Sequence, residues 1–339
     1  MRNKIINKES LDLLLFNQQF LQMDKESLFT EIDSFLGDHR ERYFGSGFKN
    51  FSFDILNFST MENELQGEIG IQYTGPSRPR KEVPHIGSIE FMAISLFICE
   101  LGLTKLLGLS AREVSQSIPL FYSMRIKENI CLADTFTTIK YTCLKESTRL
   151  DLSAVNIGIS IFKISIGEAL IELSIDHPGP TLVNIKKKSR WPPSDKAMHR
   201  EGYKQRAIGL YDIKFNVKSE KITAKVDHPA PIPVRHQGIS SSRNLVSPID
   251  LLVSTGQLMQ VLLYSILKTN RASCPNIWLR SMVISFEKPV LESLYLTSVL
   301  FKDRKQLSMH TKKWHLIVVH SQLANMQAVF NICHELPNA

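Results

Sequence analysis

The sequence predicts an α+β chain built twice on one plan, each copy an antiparallel sheet wrapped round a single long helix. Three observations carry that expectation. Two segments, "SIEFMAISLFICELGLTKLLG" (88–108) and "SPIDLLVSTGQLMQVLLYSILK" (247–268), are apolar on nearly every face, as a helix covered on most sides must be. Each follows two strand-like runs and precedes four more, and no helical pattern separates the strands of 121–175 or 276–332, so parallel βαβ units are excluded. The copies also agree in residues: "SIEFMAISLFICEL" aligns with "PIDLLVSTGQLMQV", and "YSMRIKE" follows the first helix as "RSMVISFEK" follows the second. A sheet curled round one helix is a hotdog, and the expected architecture is a double hotdog.

The elements run in this order. Residues 1–35 read as a helical extension, with Leu11, Leu14, Leu15 and Phe16 on one side, then Leu28, Ile32 and Phe35. The first half, 36–185, opens with "FSFDILNF" and "ELQGEIGIQYTG" and a Pro-rich charged loop. After its helix come "FYSMRIKENI", "FTTIKYTCLKE", "DLSAVNIGISIFKIS" and "EALIELSIDHP". A basic linker fills 186–206. The second half, 207–339, repeats the series: "IGLYDIKFNVKS" and "KITAKVDHP" form a hairpin, a long polar loop leads to the helix, and four strand-like runs finish the chain.

Composition narrows the function classes. The 339 residues are 43% hydrophobic and 22% charged, as in a soluble globular protein. No apolar run approaches the ~20 residues of a membrane-spanning helix, and "LDLLLFNQQFL" is too short and polar for a signal-peptide core. A cytoplasmic protein with no membrane partner is expected. The net charge of +8 concentrates in 186–206, which holds eight Lys/Arg but is broken by prolines and carries one Trp and one Tyr. A nucleic-acid footprint needs a basic helix or sheet face, so a solvated linker is expected and no nucleic acid partner. The five widely spaced cysteines form no C-x-x-C pair and read as structural thiols, with Cys274 in "RASCPN" the accessible one.

Candidate chemistry gathers where the two helices begin. Ser88-Ile89-Glu90 and Ser247-Pro248-Ile249-Asp250 each place a hydroxyl and then a carboxylate in the first turn. Capping explains all of these residues. The same physics supports catalysis, because a helix N-terminus can stabilise the oxyanion formed on a thioester carbonyl and a neighbouring carboxylate can take a proton. The preceding loops add His85, then His236, Arg243 and Asn244 in a stretch of ~17 residues, a length that is uncommon unless functional. "DHP" at 176–178 and 227–229 occupies non-equivalent places in the repeat and reads as turn chemistry. No spacing fits a metal site, a phosphate loop or a serine-hydrolase elbow, so no metal and no cofactor are expected.

One string remains: "IDSFLGDHRERYFGSGF" (32–48), polar chemistry closed by two glycines. It resembles the start of the avirulence protein D (AvrD) family of plant-associated bacteria, as does "SPIDLLVSTGQLMQVLLY". The resemblance implies an acyltransferase or condensing enzyme of syringolide synthesis. Such an enzyme joins a β-ketoacyl thioester, carried by acyl carrier protein or coenzyme A, to a ketopentose such as xylulose. The A-factor-synthesis family is a distant analogue, also read as a paired hotdog. The resemblance assigns no catalytic residues; from the helix openings and their preceding loops, Asp250, Glu90 and His236 are the expected ones. Arg243, Asn244 and His85, together with Asp38, His39, Arg42 and Tyr43, are expected to bind substrate, the last four at its sugar or pantetheine end. The alternative for Arg42 and Tyr43 is that they pin the N-terminal helix to the sheet. A thioester hydrolase, a hydratase or dehydratase, and a non-catalytic acyl-binding module share the expected fold, and either a monomer or a homodimer is compatible with it.

Overall fold

The computed structural model describes residues 27–75, 83–132, 136–151, 157–179, 196–227, 237–243, 245–271, 273–274, 277–287, 294–309 and 312–336. Among them one antiparallel sheet of thirteen strands contains both halves. The first half supplies β2 (Phe51–Met61), β3 (Glu64–Tyr73), β4 (Ile118–Ile126), β5 (Thr137–Asp151), β6 (Ile157–Ile166) and β7 (Ala169–Pro178). The second supplies β8 (Leu210–Asn216), β9 (Lys221–Asp227), β10 (Ile277–Phe286), β11 (Leu294–Met309), β12 (Lys312–Leu323) and β13 (Met326–Glu335).

Read outward in, the first half runs β2-β3-β5-β6-β7-β4 and the second runs β8-β9-β11-β12-β13-β10, the same order strand for strand. The halves join where β4 pairs with β10, and Met124 lies opposite Met282. Those two methionines are equivalent in the repeat, so a pseudo-two-fold axis passes between them. Two repeats joined edge to edge round such an axis, each with its own helix, make the double hotdog.

Strand residues alternate between core and solvent, as in β13, where Met326, Ala328, Phe330, Ile332 and His334 point inward. The inward face closes over helices α2 (Ser88–Lys105) and α4 (Pro248–Leu267), with the short α1 (Asp33–Leu36) and α3 (Ala111–Gln116) at the periphery. Every residue of α2 from Ile89 to Thr104 is buried, which is why its sequence lacks a polar stripe. The two helices also touch each other, so each half completes the other's core.

Several expectations are corrected. The expected helical extension over 1–35 differs in its described part: Ser27–Glu31 is a strand, β1, paired antiparallel with β8 at the sheet edge. Phe29 and Thr30 are good strand formers in a five-residue run that finds an unpaired edge, and edge pairing overrides the weak helical pattern. The described end of the basic segment, 196–206, is not solvated: Ala197, Met198, His199, Tyr203 and Arg206 are buried. One helix, α4, is after all apolar and long enough to cross a membrane, but 89% of the qualifying window is buried inside the fold, as in a core helix. Cys274 is buried with Sγ 2.9 Å from His334 Nε2, and Cys131 is the exposed thiol. His177 of the first "DHP" lies within β7, buried, with Nε2 2.8 Å from Ser160 Oγ, so it packs between strands instead of turning the chain. His228 lies outside the described residues.

Candidate active site

A cavity of about 170 Å³ opens where the N-terminus of α2 meets the flank of α4. The first half contributes Tyr43, Phe44 and the run His85–Ser88; the second contributes Leu252, Thr255, Gly256, Met259 and Gln260 from α4. Ile277 and Leu279 of β10 and Phe330 and Ile332 of β13 make an apolar floor. Neither half could form this space alone. Gly256 is required by the close approach of Phe44, since a Cβ there would lie 2.6 Å from the ring.

The polar groups cluster at one end. Glu90, buried, accepts a hydrogen bond from the Gly87 backbone N–H at 2.9 Å and a short one from the Tyr43 hydroxyl. Gly87, one residue earlier than expected, is therefore the N-cap of α2, and Glu90 serves as the capping acid. Glu90 itself does not line the cavity; Tyr43 does, and it stands between the carboxylate and the space. The first-turn N–H groups of α2 have no intrahelical acceptor, and Gly87 and Ser88 bring that helix end to the wall. His85 lies on the same wall, its ring 4.8 Å from that of Trp278. Gln260 adds a buried Oε1 with no hydrogen-bond partner among the described residues. Tyr203, buried below, has its hydroxyl pKa pushed well up by burial, with the Glu90 carboxylate adding to the effect.

The pseudo-symmetric place at the start of α4 is nearly filled, with about 10 Å³ left between Leu96, Met198, His199, Ile239 and Ser247. Glu100, the counterpart of Gln260 in the helix alignment, is locked there by His199 Nδ1 at 2.6 Å and the Ile239 N–H at 2.8 Å. Of the two equivalent helix openings, the first borders this apolar cavity, whereas Ile249 and Asp250 at the second border a wider polar space of about 630 Å³.

The expected site residues divide accordingly. Glu90, Tyr43 and His85 come together at the cavity. Asp250 is elsewhere, buried in an ion pair with Arg206 (Nη2 to Oδ2 2.6 Å, Nε to Oδ1 3.1 Å) while it caps Ser247 N–H at 2.8 Å. Arg42 is buried too; it donates to Gln257 Oε1 at 2.9 Å and pairs with Asp33, so it pins the N-terminal segment to α4. Burial pulls its guanidinium pKa down, opposed by Asp33. Asp38 and His39 lie on the surface rim. Arg40 beside Asp38 holds that carboxyl well below the usual range, and His39 Nδ1 sits 3.2 Å from Asp33. Asp33, Asp38 and His39 are close enough to share an ion, but both carboxylates are already engaged by arginines. His236 and Asn244 lie outside the described residues, and Arg243 is placed only as the end of a short 3-10 turn, Ser241–Arg243.

Sequence reading missed Tyr203, His199, Arg206 and Gln260. A signal for the first two existed. "HRERY" at 39–43 recurs as "HREGY" at 199–203, the same 160 positions by which Asp250 follows Glu90. The basic appearance of 186–206 concealed that its end repeats the N-terminal motif.

Fold and site together define a two-lobed hotdog protein with an apolar cavity at a helix N-terminus, shared between its halves. The chain matches the Pseudomonas avirulence D protein (AvrD) family over residues 27–337 and belongs to that family. No curated protein sequence matches it. Among solved structures it is similar to the dehydratase domain from the CurJ module of curacin polyketide synthase (10% identity, 84% of this chain, 97% of that one, TM-score 0.41). It is also similar to an acyl-CoA thioesterase II, TesB2, from Mycobacterium marinum (10%, 84% and 97%, 0.37) and to the tesB protein of Mycobacterium avium subs paratuberculosis (9%, 84% and 97%, 0.39).

Proposed function

We propose that the protein is an acyl-thioester enzyme that transfers a β-ketoacyl group to a hydroxyl of a ketopentose, giving an acyl-pentulose of the syringolide type. The observation that carries this reading is the cavity itself, an apolar chamber whose polar end joins a helix N-terminus to a tyrosine backed by a buried carboxylate. Membership of the AvrD family supports an acyl-thioester enzyme, and the pentulose is the acceptor that the family resemblance implies. An apolar cavity of ~150 Å³ holds a benzene-sized molecule, so 170 Å³ suits a short to medium acyl segment between Met259, Leu279 and Phe330.

The thioester carbonyl would rest against Gly87 and Ser88, where the helix end stabilises the developing oxyanion. The pentulose hydroxyl donates its hydrogen bond to Tyr43 oxygen. As the hydroxyl oxygen attacks, a C–O bond forms, its proton passes to Tyr43, and Tyr43's own proton passes to Glu90. Collapse of the tetrahedral intermediate breaks the C–S bond, and the relay returns the proton to the leaving thiolate. Glu90 works through Tyr43, and His85 on Trp278 borders the carrier end.

The test is Tyr43→Phe, which keeps the ring and removes the relay. With a β-ketoacyl thioester and xylulose, adduct formation followed by mass spectrometry should fall about 10²–10⁴-fold, with thioester affinity unchanged and the melting temperature lowered only by the lost hydrogen bond to buried Glu90, worth about 1.5–3 kcal/mol. A rate within threefold of the parent would overturn the relay. Free β-keto acid without any pentose adduct would move the assignment to hydrolysis.

A further inference from the structure

The wide space at the second helix opening, about 630 Å³, has on its wall a nucleophile that the acyl transfer proposed above does not use. Lys49 stands there, in the 3-10 turn Gly47–Asn50. Its neighbour Phe48 is buried and stacked on Tyr203, ring centroids 6.2 Å apart, so the lysine leaves the chain from a fixed base. Lys49 Nζ donates to the Arg206 carbonyl oxygen at 3.0 Å and lies 5.8 Å from the centre of the Phe48 ring.

These surroundings set it apart from other lysines of the fold. Lys163, Lys204, Lys225, Lys305 and Lys312 each reach a carboxylate within 3.2 Å. Half-buried Lys49 has no carboxylate at ion-pair distance among the described residues; one carbonyl and one ring face stand in that place. Three carboxylates on the same wall are engaged elsewhere: Asp33 by Arg42, Asp250 by Arg206, and Asp227 by the Tyr211 hydroxyl. Burial draws the Lys49 pKa below its ordinary 10.5, whereas carboxylate partners raise those of Lys163 and Lys225. An ammonium without a counter-charge gives up its proton more readily, and the free amine is the reactive form.

The lining also says which electrophile suits this amine. An acyl thioester would leave Lys49 as an amide, and the amine would not return. A carbonyl carbon reacts reversibly, provided that acid and base groups carry protons to and from its oxygen. Asp227 and Tyr211, already joined by a hydrogen bond, supply such a pair on the same wall.

We propose that Lys49 captures an aldehyde or ketone in this space as a Schiff base. The Nζ lone pair forms a C–N bond to the carbonyl carbon and a proton moves from nitrogen to oxygen. The C–O bond then breaks and water leaves, so no oxidant or reductant is consumed. The iminium draws electrons from the adjoining carbon, whose proton passes to the Asp227 carboxylate and leaves an enamine. The site thereby activates the carbon next to a carbonyl. The assignment does not depend on the acyl transfer proposed at the apolar cavity.

Acetylacetone tests this on the full chain at neutral pH, because its Schiff base settles into a conjugated enaminone that absorbs in the near ultraviolet without any reductant. One enaminone per chain should form, and peptide mass spectrometry should place it on Lys49. Hydroxyacetone with cyanoborohydride, a monoketone trapped by hydride, should label the same residue first. Lys49→Gln should lose the near-ultraviolet band. Lys49→Arg should lose it as well while holding the parent's melting temperature, since the guanidinium keeps both the cation and a donor for the Arg206 carbonyl; a purely structural lysine would show no band to lose. Adducts spread over exposed lysines without precedence at Lys49, or a band that survives in both variants, would overturn the proposal.

Discussion

Replacing Arg206 with alanine tests what holds Asp250. Both groups are almost fully buried, 4% and 1% exposed, and two contacts of 2.6 and 3.1 Å join them. Without the guanidinium, the carboxylate keeps the Ser247 N–H at 2.8 Å as its main stabilising partner. Breaking a buried pair from one side costs about 3–5 kcal/mol, because the remaining charge stays desolvated. At ~2 °C per kcal/mol, the low end of the range for large domains, the melting temperature should fall by about 6–10 °C. Asp250→Asn in the Arg206→Ala background removes the stranded charge and should recover part of that loss. Urea denaturation of the parent, both single variants and the double variant gives a coupling energy directly. Additive effects, or an Arg206→Ala loss below ~0.5 kcal/mol, would refute the structural assignment of Asp250 and return it to the list of catalytic candidates.

Two further outcomes follow from burial. Burial holds the His177 pKa below the ordinary 6.5 in the fold, so the folded state resists its protonation. Its contribution is complete above about pH 6.5, is lost as the pH falls below that value, and levels off below the folded-state pKa. Unfolding free energies between pH 7.5 and 5 should therefore drop more steeply for the parent than for His177→Gln, by at most ~1.4 kcal/mol per pH unit; parallel profiles would contradict this. For the thiols, brief treatment with a maleimide under native conditions should label Cys131 ahead of the four others, and Cys131→Ser should abolish the fast phase. Rapid labelling at Cys274 would show that its packing on His334 is wrong.

The match between sequence and structure depends on the range of the interactions involved. The helices 88–105 and 248–267 were legible because burial on all sides leaves a continuous apolar run, and the strands because alternation is a local pattern. The internal repeat then implied the double sheet. Residues 27–31 were misread because a short strand owes its state to the edge it pairs with, here β8, more than to its own residues. Cys274 was misread because a loop cysteine gives no sign of the histidine sixty positions later that covers it.

By itself, then, the sequence determined the two core helices, the twelve-strand repeat, the first-turn acids Glu90 and Asp250, and the family string at 32–48. Each is written within a few residues or in a recurrence. Only the tertiary structure decided which helix opening carries the apolar cavity. Glu90 and Asp250 have equivalent places and similar neighbours in sequence. Arg206 reaches Asp250 from 44 positions away, and Glu100 and His199 close the second opening from 99 positions apart, while Tyr43 joins Glu90 at the first. Packing breaks a symmetry that the repeat preserves, because cavity volume depends on which side chains arrive from the rest of the fold.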